Sequence, residues 1–185
     1  MSLTESTMLA LGTSAPDFRL PDVTTGKTVG LSDLGGTKAL LVMFICRHCP
    51  YVKHVQDELA RLGKDYAGKS LRIVAISSND AATYPDDAPD SLRAMAAEVG
   101  FNFPFLYDES QETAREYSAA CTPDFFVFDE ARNLAYRGQL DDSRPGNGKP
   151  VTGRDLRAAI DTLLSGGKVD PNQRPSVGCN IKWKK

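Results

Sequence analysis

The run ALLVMFI, residues 39–45, has no polar side chain and ends directly on Cys46-Arg47-His48-Cys49-Pro50. Strand side chains alternate between two faces, so a strand apolar at every position needs both faces covered. The segment is therefore expected to be an interior strand of a layered α/β structure. Beyond it, Val52, Val55, Leu59 and Leu62 recur at helical spacing, Gly68 closes the segment, and a second apolar run spans Leu71 to Ser77. Strand, helix and strand in this order form a βαβ unit with two parallel strands.

The rest of the chain extends this pattern. Residues 15–34 alternate short apolar pairs with the turn formers Pro21-Asp22 and Thr25-Gly26-Lys27, which predicts an N-terminal hairpin. Leu92, Met95, Ala96 and Val99 mark a helix. It is followed by FPFLY and by a short helix from Thr113 to Ala119. Phe125 to Phe128 and Leu134 to Gln139 read as an antiparallel pair at a sheet edge, joined by a polar turn. A final helix carries Leu156, Ile160, Leu163 and Leu164, with Thr152 and Asp155 spaced as a capping box. The predicted organisation is one α/β domain over 1–165, a central mixed sheet flanked by helices, and an irregular tail over 166–185 that lacks any period. The acidic stretch 79–91 reads as a solvated loop, longer than its connection needs, and receives no role.

Composition narrows the functional classes. A net charge of −2 creates no field that would attract nucleic acid. No apolar run approaches the roughly 20 residues needed to span a bilayer. The start MSLTESTMLALGTSAPDF has no basic region and only a short apolar patch, so it fails as a secretory signal and a cytoplasmic location is expected. In a reducing compartment the close pair Cys46 and Cys49 points to redox catalysis or metal binding rather than to a structural bridge.

The position of the pair favours redox chemistry. Cys46 follows the carboxyl end of a buried strand, where open α/β sheets place reactive groups, and it stands at the start of a helix. Unpaired amides and the positive end of the helix dipole stabilise a thiolate there, and Arg47 and His48 are expected to tune its pKa in the same direction. Pro50 is tolerated because the first helical turn has no hydrogen bonds to lose. Cysteines three apart can close a bond with little backbone movement, so an exposed Cys46 would exchange with substrate and a more buried Cys49 would resolve the intermediate. Structural zinc would need a second close pair of ligands, which Cys121, Cys179, His48 and His54 do not offer at a recognisable spacing. His54 is expected on the solvent side of its helix.

With CRHCP after a buried strand, APDF near the start, TPDFFVFD before the last hairpin and YRGQLDDSRPG after it, the sequence resembles the thioredoxin-like superfamily. The branch it resembles contains the alkyl hydroperoxide reductase/thiol-specific antioxidant proteins. The likeness runs from Ala15 to Ser165. It implies a thioredoxin-like fold, a cis-proline loop at Thr122 and Pro123 facing the cysteine pair, and pairing of the Thr122 backbone with an extended substrate chain. It also implies a threonine and a proline before a peroxide-reacting cysteine, where this chain has Met43 and Ala39. Arg115 and Arg137 could supply a guanidinium and are left unassigned.

Three readings follow. The first is a thiol-disulfide oxidoreductase cycling through Cys46 and Cys49, without a cofactor or metal. It would act on a protein or small-molecule disulfide and be recharged by a thiol reductant. The second is a thiol-dependent peroxidase with Cys46 as the peroxidatic residue, and the third is a metal-binding module using Cys46, Cys49 and His48 or Cys121. Cys121 is either a buried apolar filler or a third redox thiol. Cys179 reads as incidental or structural, with folding back as a resolving cysteine the alternative.

Overall fold

The computed structural model describes residues 3–185. In chain order the first half comprises β1 (Leu3–Glu5), β2 (Arg19–Pro21), β3 (Thr28–Gly30), β4 (Ala39–Phe44), α1 (Pro50–Asp65), β5 (Leu71–Ser77) and α2 (Pro89–Val99). The second half comprises β6 (Phe105–Tyr107), α3 (Glu112–Glu116), β7 (Cys121–Thr122), β8 (Asp124–Phe128), β9 (Leu134–Gly138), α4 (Arg154–Leu164) and β10 (Val177–Asn180).

β4 is buried at every position and occupies the centre of a five-stranded sheet in the order β6-β5-β4-β8-β9. Its alternation explains the unbroken apolar run. Leu41 and Met43 join a core with Val52 and Leu59 of α1, Leu92 of α2 and Ile160 of α4. Leu40, Val42 and Phe44 face the other layer, against Tyr117, Phe126 and the N-terminal residues Phe18 and Leu34. β5 and β6 run parallel along one side of β4, and β8 and β9 run antiparallel on the other. The expected N-terminal hairpin is present as β2 paired with β3, and Asp22 bridges it to Leu106, which covers the β6 edge. No helix among the described residues is long and apolar enough to cross a membrane.

Two local expectations change. α4 begins after Gly153, whose backbone is left-handed, and Asp141 accepts the amides of Thr152 and Gly153, both at 2.7 Å. The Thr152–Asp155 capping box is therefore replaced by a carboxylate from a preceding loop. His54 is half-buried, with its Nε2 2.7 Å from the Ser143 hydroxyl, rather than turned to solvent.

The larger difference concerns residues 166–185, which are not an irregular tail throughout. β10 is the middle strand of a small antiparallel sheet, with β1 on one side and β7 on the other; Cys179 stands opposite both Leu3 and Thr122. The next residues are fastened as well. Ile181 N–H donates to Ala120 O at 3.0 Å, Lys182 N–H to Asn79 Oδ1 at 2.8 Å, and Gln111 Nε2 to Lys182 O at 2.8 Å. A strand stitched by partners 57 to 176 residues away leaves no periodic signal in its own sequence.

Gly178 permits this approach: a Cβ on it would lie 2.0 Å from the Thr122 carbonyl oxygen, a backbone atom that cannot swing aside. Gly178→Ala is expected to displace β10 and to cost about 1–3 kcal/mol, measured by denaturant unfolding. An unchanged midpoint would mean that the strand does not pack here in solution.

Candidate active site

Cys49 is the N-cap of α1, in extended conformation, and Pro50 fills the first helical position. Cys46 precedes it in the turn leaving β4. The cis peptide between Thr122 and Pro123 brings β7 across this turn, placing the Thr122 hydroxyl 3.4 Å from Cys46 Sγ and its carbonyl oxygen 3.3 Å from Cys49 Sγ. Cys179 Sγ lies 2.8 Å from Cys49 Sγ. Three sulfurs and Thr122 thus converge on the amino end of one helix.

Both members of the pair are covered: Cys46 is 1% exposed and Cys49 fully buried, so the expectation of an accessible Cys46 is corrected. The location of the negative charge also differs from expectation. The Cys46 thiol donates to Cys49, which lowers Cys49 against the opposing effect of burial; Cys179, Thr122 and the Val52 amide lower it further, to about 5. Cys46 is raised by that same hydrogen bond, by burial and by the charge of Asp87. These contacts favour the anion at Cys49, the residue that caps the helix, over Cys46. In its protonated form Cys49 donates instead to the Thr122 carbonyl.

Arg47 and His48 do not act as expected. The Arg47 guanidinium turns to α2, where it binds the Ser91 carbonyl at 2.7 Å and the Glu98 carboxylate at 3.0 Å, so its charge is spent away from the sulfurs. His48 Nδ1 is hydrogen-bonded to Asp87, and its ring stacks on Tyr84 with centroids 5.2 Å apart. Its Nε2 is buried without a protein partner.

Asp87 was not singled out by the sequence. It sits in the acidic loop 79–91, fully buried, and accepts the amides of Arg47 at 2.8 Å and His48 at 3.2 Å and the Asn79 Nδ2–H at 2.8 Å. Burial pushes its carboxyl up, but the bonds from His48 and Asn79 outweigh this and hold it below the usual carboxylate range. It fixes the turn between the two cysteines from outside. The loop's excess length over a plain strand-to-helix connection was the available hint.

Cys121 and Thr122 are neighbours on a strand and point to opposite faces. Thr122 faces the sulfurs, whereas Cys121 is buried with its Sγ 3.7 Å from the Pro123 carbonyl, and burial raises its thiol. Beside it Asp124, fully buried and accepting from Ser6 at 2.7 Å, is pushed up to about 7 by desolvation. Cys46, His48 and Asp87 bring ligand-capable atoms within 4.8 Å of one another and are the residues that could hold a metal ion, although His48 and Asp87 are bonded to each other here. Arg115 stacks on Trp183, and Arg137 donates to Leu9 O at 2.8 Å, so both are engaged elsewhere.

Residues 11–137 match the AhpC/TSA family. The chain belongs to that family. Its strand order and cis-proline loop are those of the thioredoxin-like fold. A crystal structure of an uncharacterized conserved protein from Geobacillus kaustophilus superimposes with a TM-score of 0.98 at 55% identity, covering 100% of this chain and 97% of that one. A Mycobacterium tuberculosis H37Rv protein provisionally named a peroxiredoxin is 30% identical over 118 residues, 63% of this chain and 69% of its own. The thiol-disulfide oxidoreductase ResA of Geobacillus kaustophilus is 26% identical over 127 residues, 69% of this chain and 68% of its own.

Two outcomes follow. Cys49 is depressed from 9.0 to about 5 in the fold, so it stabilises the reduced protein fully above pH 9, and that contribution is lost as pH falls through about 5. Asp124, raised on folding, acts in the opposite sense between the ordinary carboxylate range and about 7. The stability gap between reduced wild type and Cys49→Ser is therefore expected to widen from pH 5 to 9 and then level off, as read from denaturation midpoints in reducing buffer. A gap independent of pH would place the anion elsewhere. Asp87→Ala strands several buried donors and is expected to cost about 3 kcal/mol by the same measurement.

Proposed function

We propose that this AhpC/TSA chain is a thiol-disulfide oxidoreductase that cycles Cys46 and Cys49 between dithiol and disulfide. The observation that carries the reading is the pair at the start of α1, with Cys46 Sγ 3.4 Å from the Thr122 hydroxyl and Cys49 Sγ 3.3 Å from the Thr122 carbonyl of the cis-proline loop. Proton transfer from Cys46 to Cys49 delivers the pair's single charge to Cys46. Its thiolate attacks a substrate disulfide, expels one thiolate and forms a mixed disulfide. Cys49, after passing its proton to the departing sulfur, attacks Cys46 and releases the second substrate sulfur as a thiolate, which takes a proton from solvent. One disulfide is reduced, one forms, and a thiol reductant restores the pair.

The substrate class follows from what lies beside Thr122. The backbone strip where an extended polypeptide would be laid is paired with β10, and both sulfurs are covered. Small-molecule disulfides therefore fit the site better than extended protein chains. A cytoplasmic setting, with a thiol reductant as recharging partner, completes the proposal.

Family membership supports a second reading, reduction of peroxide at Cys46. The position three residues before Cys46 is Met43, buried in the core, so the hydroxyl near the sulfur is that of Thr122.

Turnover of hydroxyethyl disulfide, coupled to a thiol reductant, tests the first reading. Cys46→Ser is expected to abolish it, and Cys49→Ser to accumulate a mixed disulfide on Cys46. The kcat/KM for the small disulfide should exceed that for insulin by about tenfold, the equivalent of ~1.4 kcal/mol of strand pairing denied to the protein substrate. Full activity in Cys46→Ser would end the proposal; peroxide consumption without disulfide turnover would favour the second reading.

A further inference from the structure

Cys179 has no part in the cycle above, yet its Sγ lies 2.8 Å from Cys49 Sγ, and the residue is 3% exposed. The contact is built from both directions. Pairing with β1 and β7 fixes the backbone of Cys179, Gly178 lets β10 close on Thr122, and Asn79 and Ala120 hold the residues that follow. Cys49 therefore has two sulfur neighbours, Cys46 in the turn before α1 and Cys179 on β10.

We propose that Cys179 is a third redox thiol of this centre, with Cys49 as the pivot between two alternative disulfides. This rests on the Cys46–Cys49 cycle. The Cys179 sulfur attacks Cys49 in the Cys46–Cys49 disulfide; a Cys49–Cys179 bond forms as the Cys46–Cys49 bond breaks, and Cys46 leaves as a thiol with the proton that Cys179 gives up. One disulfide replaces another, so the step needs no external oxidant.

Acidity supports the direction of the exchange. In the reduced centre, burial, the hydrogen bond to Cys49 and the charge on Cys49 hold the Cys179 thiol up at about 12. Oxidation of Cys49 removes the charge, so Cys179 becomes easier to ionise once there is a disulfide to attack. The exchange moves the oxidised bond from the turn before α1 to β10 and returns Cys46 to the thiol state while the protein as a whole stays oxidised.

The sequence makes the test direct, because tryptic cleavage after Arg47, Lys53, Arg132 and Lys182 leaves the four cysteines on four different peptides. Reduced protein is treated with one equivalent of diamide, quenched in acid, alkylated, digested without reductant and mapped by mass spectrometry. In wild type the Cys49 peptide is expected joined to the Cys179 peptide as well as to the Cys46 peptide, in shares within about tenfold of each other, with Cys46 alkylated in the former. Cys179→Ser should give only the Cys46–Cys49 bond and protect Cys46 throughout. Cys46→Ser should still form Cys49–Cys179 within one chain. A wild type with no Cys49–Cys179 link, together with a Cys46→Ser protein whose two remaining thiols both stay alkylatable, overturns the proposal. The catalytic reading fails separately: a wild type that forms the Cys49–Cys179 bond but turns over no disulfide keeps the third thiol and loses the cycle.

Discussion

The amino end of α1 governs the chemistry of this molecule. A helix start leaves amides without carbonyl partners, and here the residue that faces them is a fully buried cysteine rather than a serine or aspartate. A negative sulfur can exist in such a place only if donors surround it. Cys46, Cys179 and Thr122 supply them, each from a different part of the chain. Cys46 comes from the turn after the central strand, Thr122 from the cis-proline loop and Cys179 from β10, so the charge at Cys49 and the packing of three distant segments depend on one another.

The polar scaffold around this point has a common purpose. Asp87 ties down the backbone of the turn between the cysteines, Asn79 joins Asp87 to Lys182, and Gln111 holds Lys182 from α3's side. Each of these groups is buried and has its partners, which makes the network rigid and also intolerant of partial loss. It converts an acidic loop and a glycine- and lysine-rich C-terminal stretch into walls of the same site.

What the sequence revealed follows from the range of the forces involved. β4, α1, β5 and the pair at their junction were legible because an unbroken apolar run, a helical period and a proline at the first turn are local consequences of burial and backbone geometry. The hairpin β2–β3 and the helices α2 and α4 were legible for the same reason. Asp87 looked like any other acid in a loop, since nothing in its neighbours announces that it will be buried and receive four hydrogen bonds from Arg47, His48 and Asn79. β10 has four residues, one of them a glycine, and its strand character comes from β1 and β7 rather than from its own propensity. Adjacency in sequence suggests that Arg47 and His48 act on Cys46, whereas their side chains leave the turn for Glu98 and Asp87.

The small sheet β1-β10-β7 joins residues near both ends of the described chain to the loop before β8. During synthesis on a ribosome, the central sheet and α1 can fold once β8 and β9 have emerged, but Cys49 then lacks the strand that closes over it. The contact from Cys179 and the pairing of β10 with Thr122 are the last parts of the site in chain order.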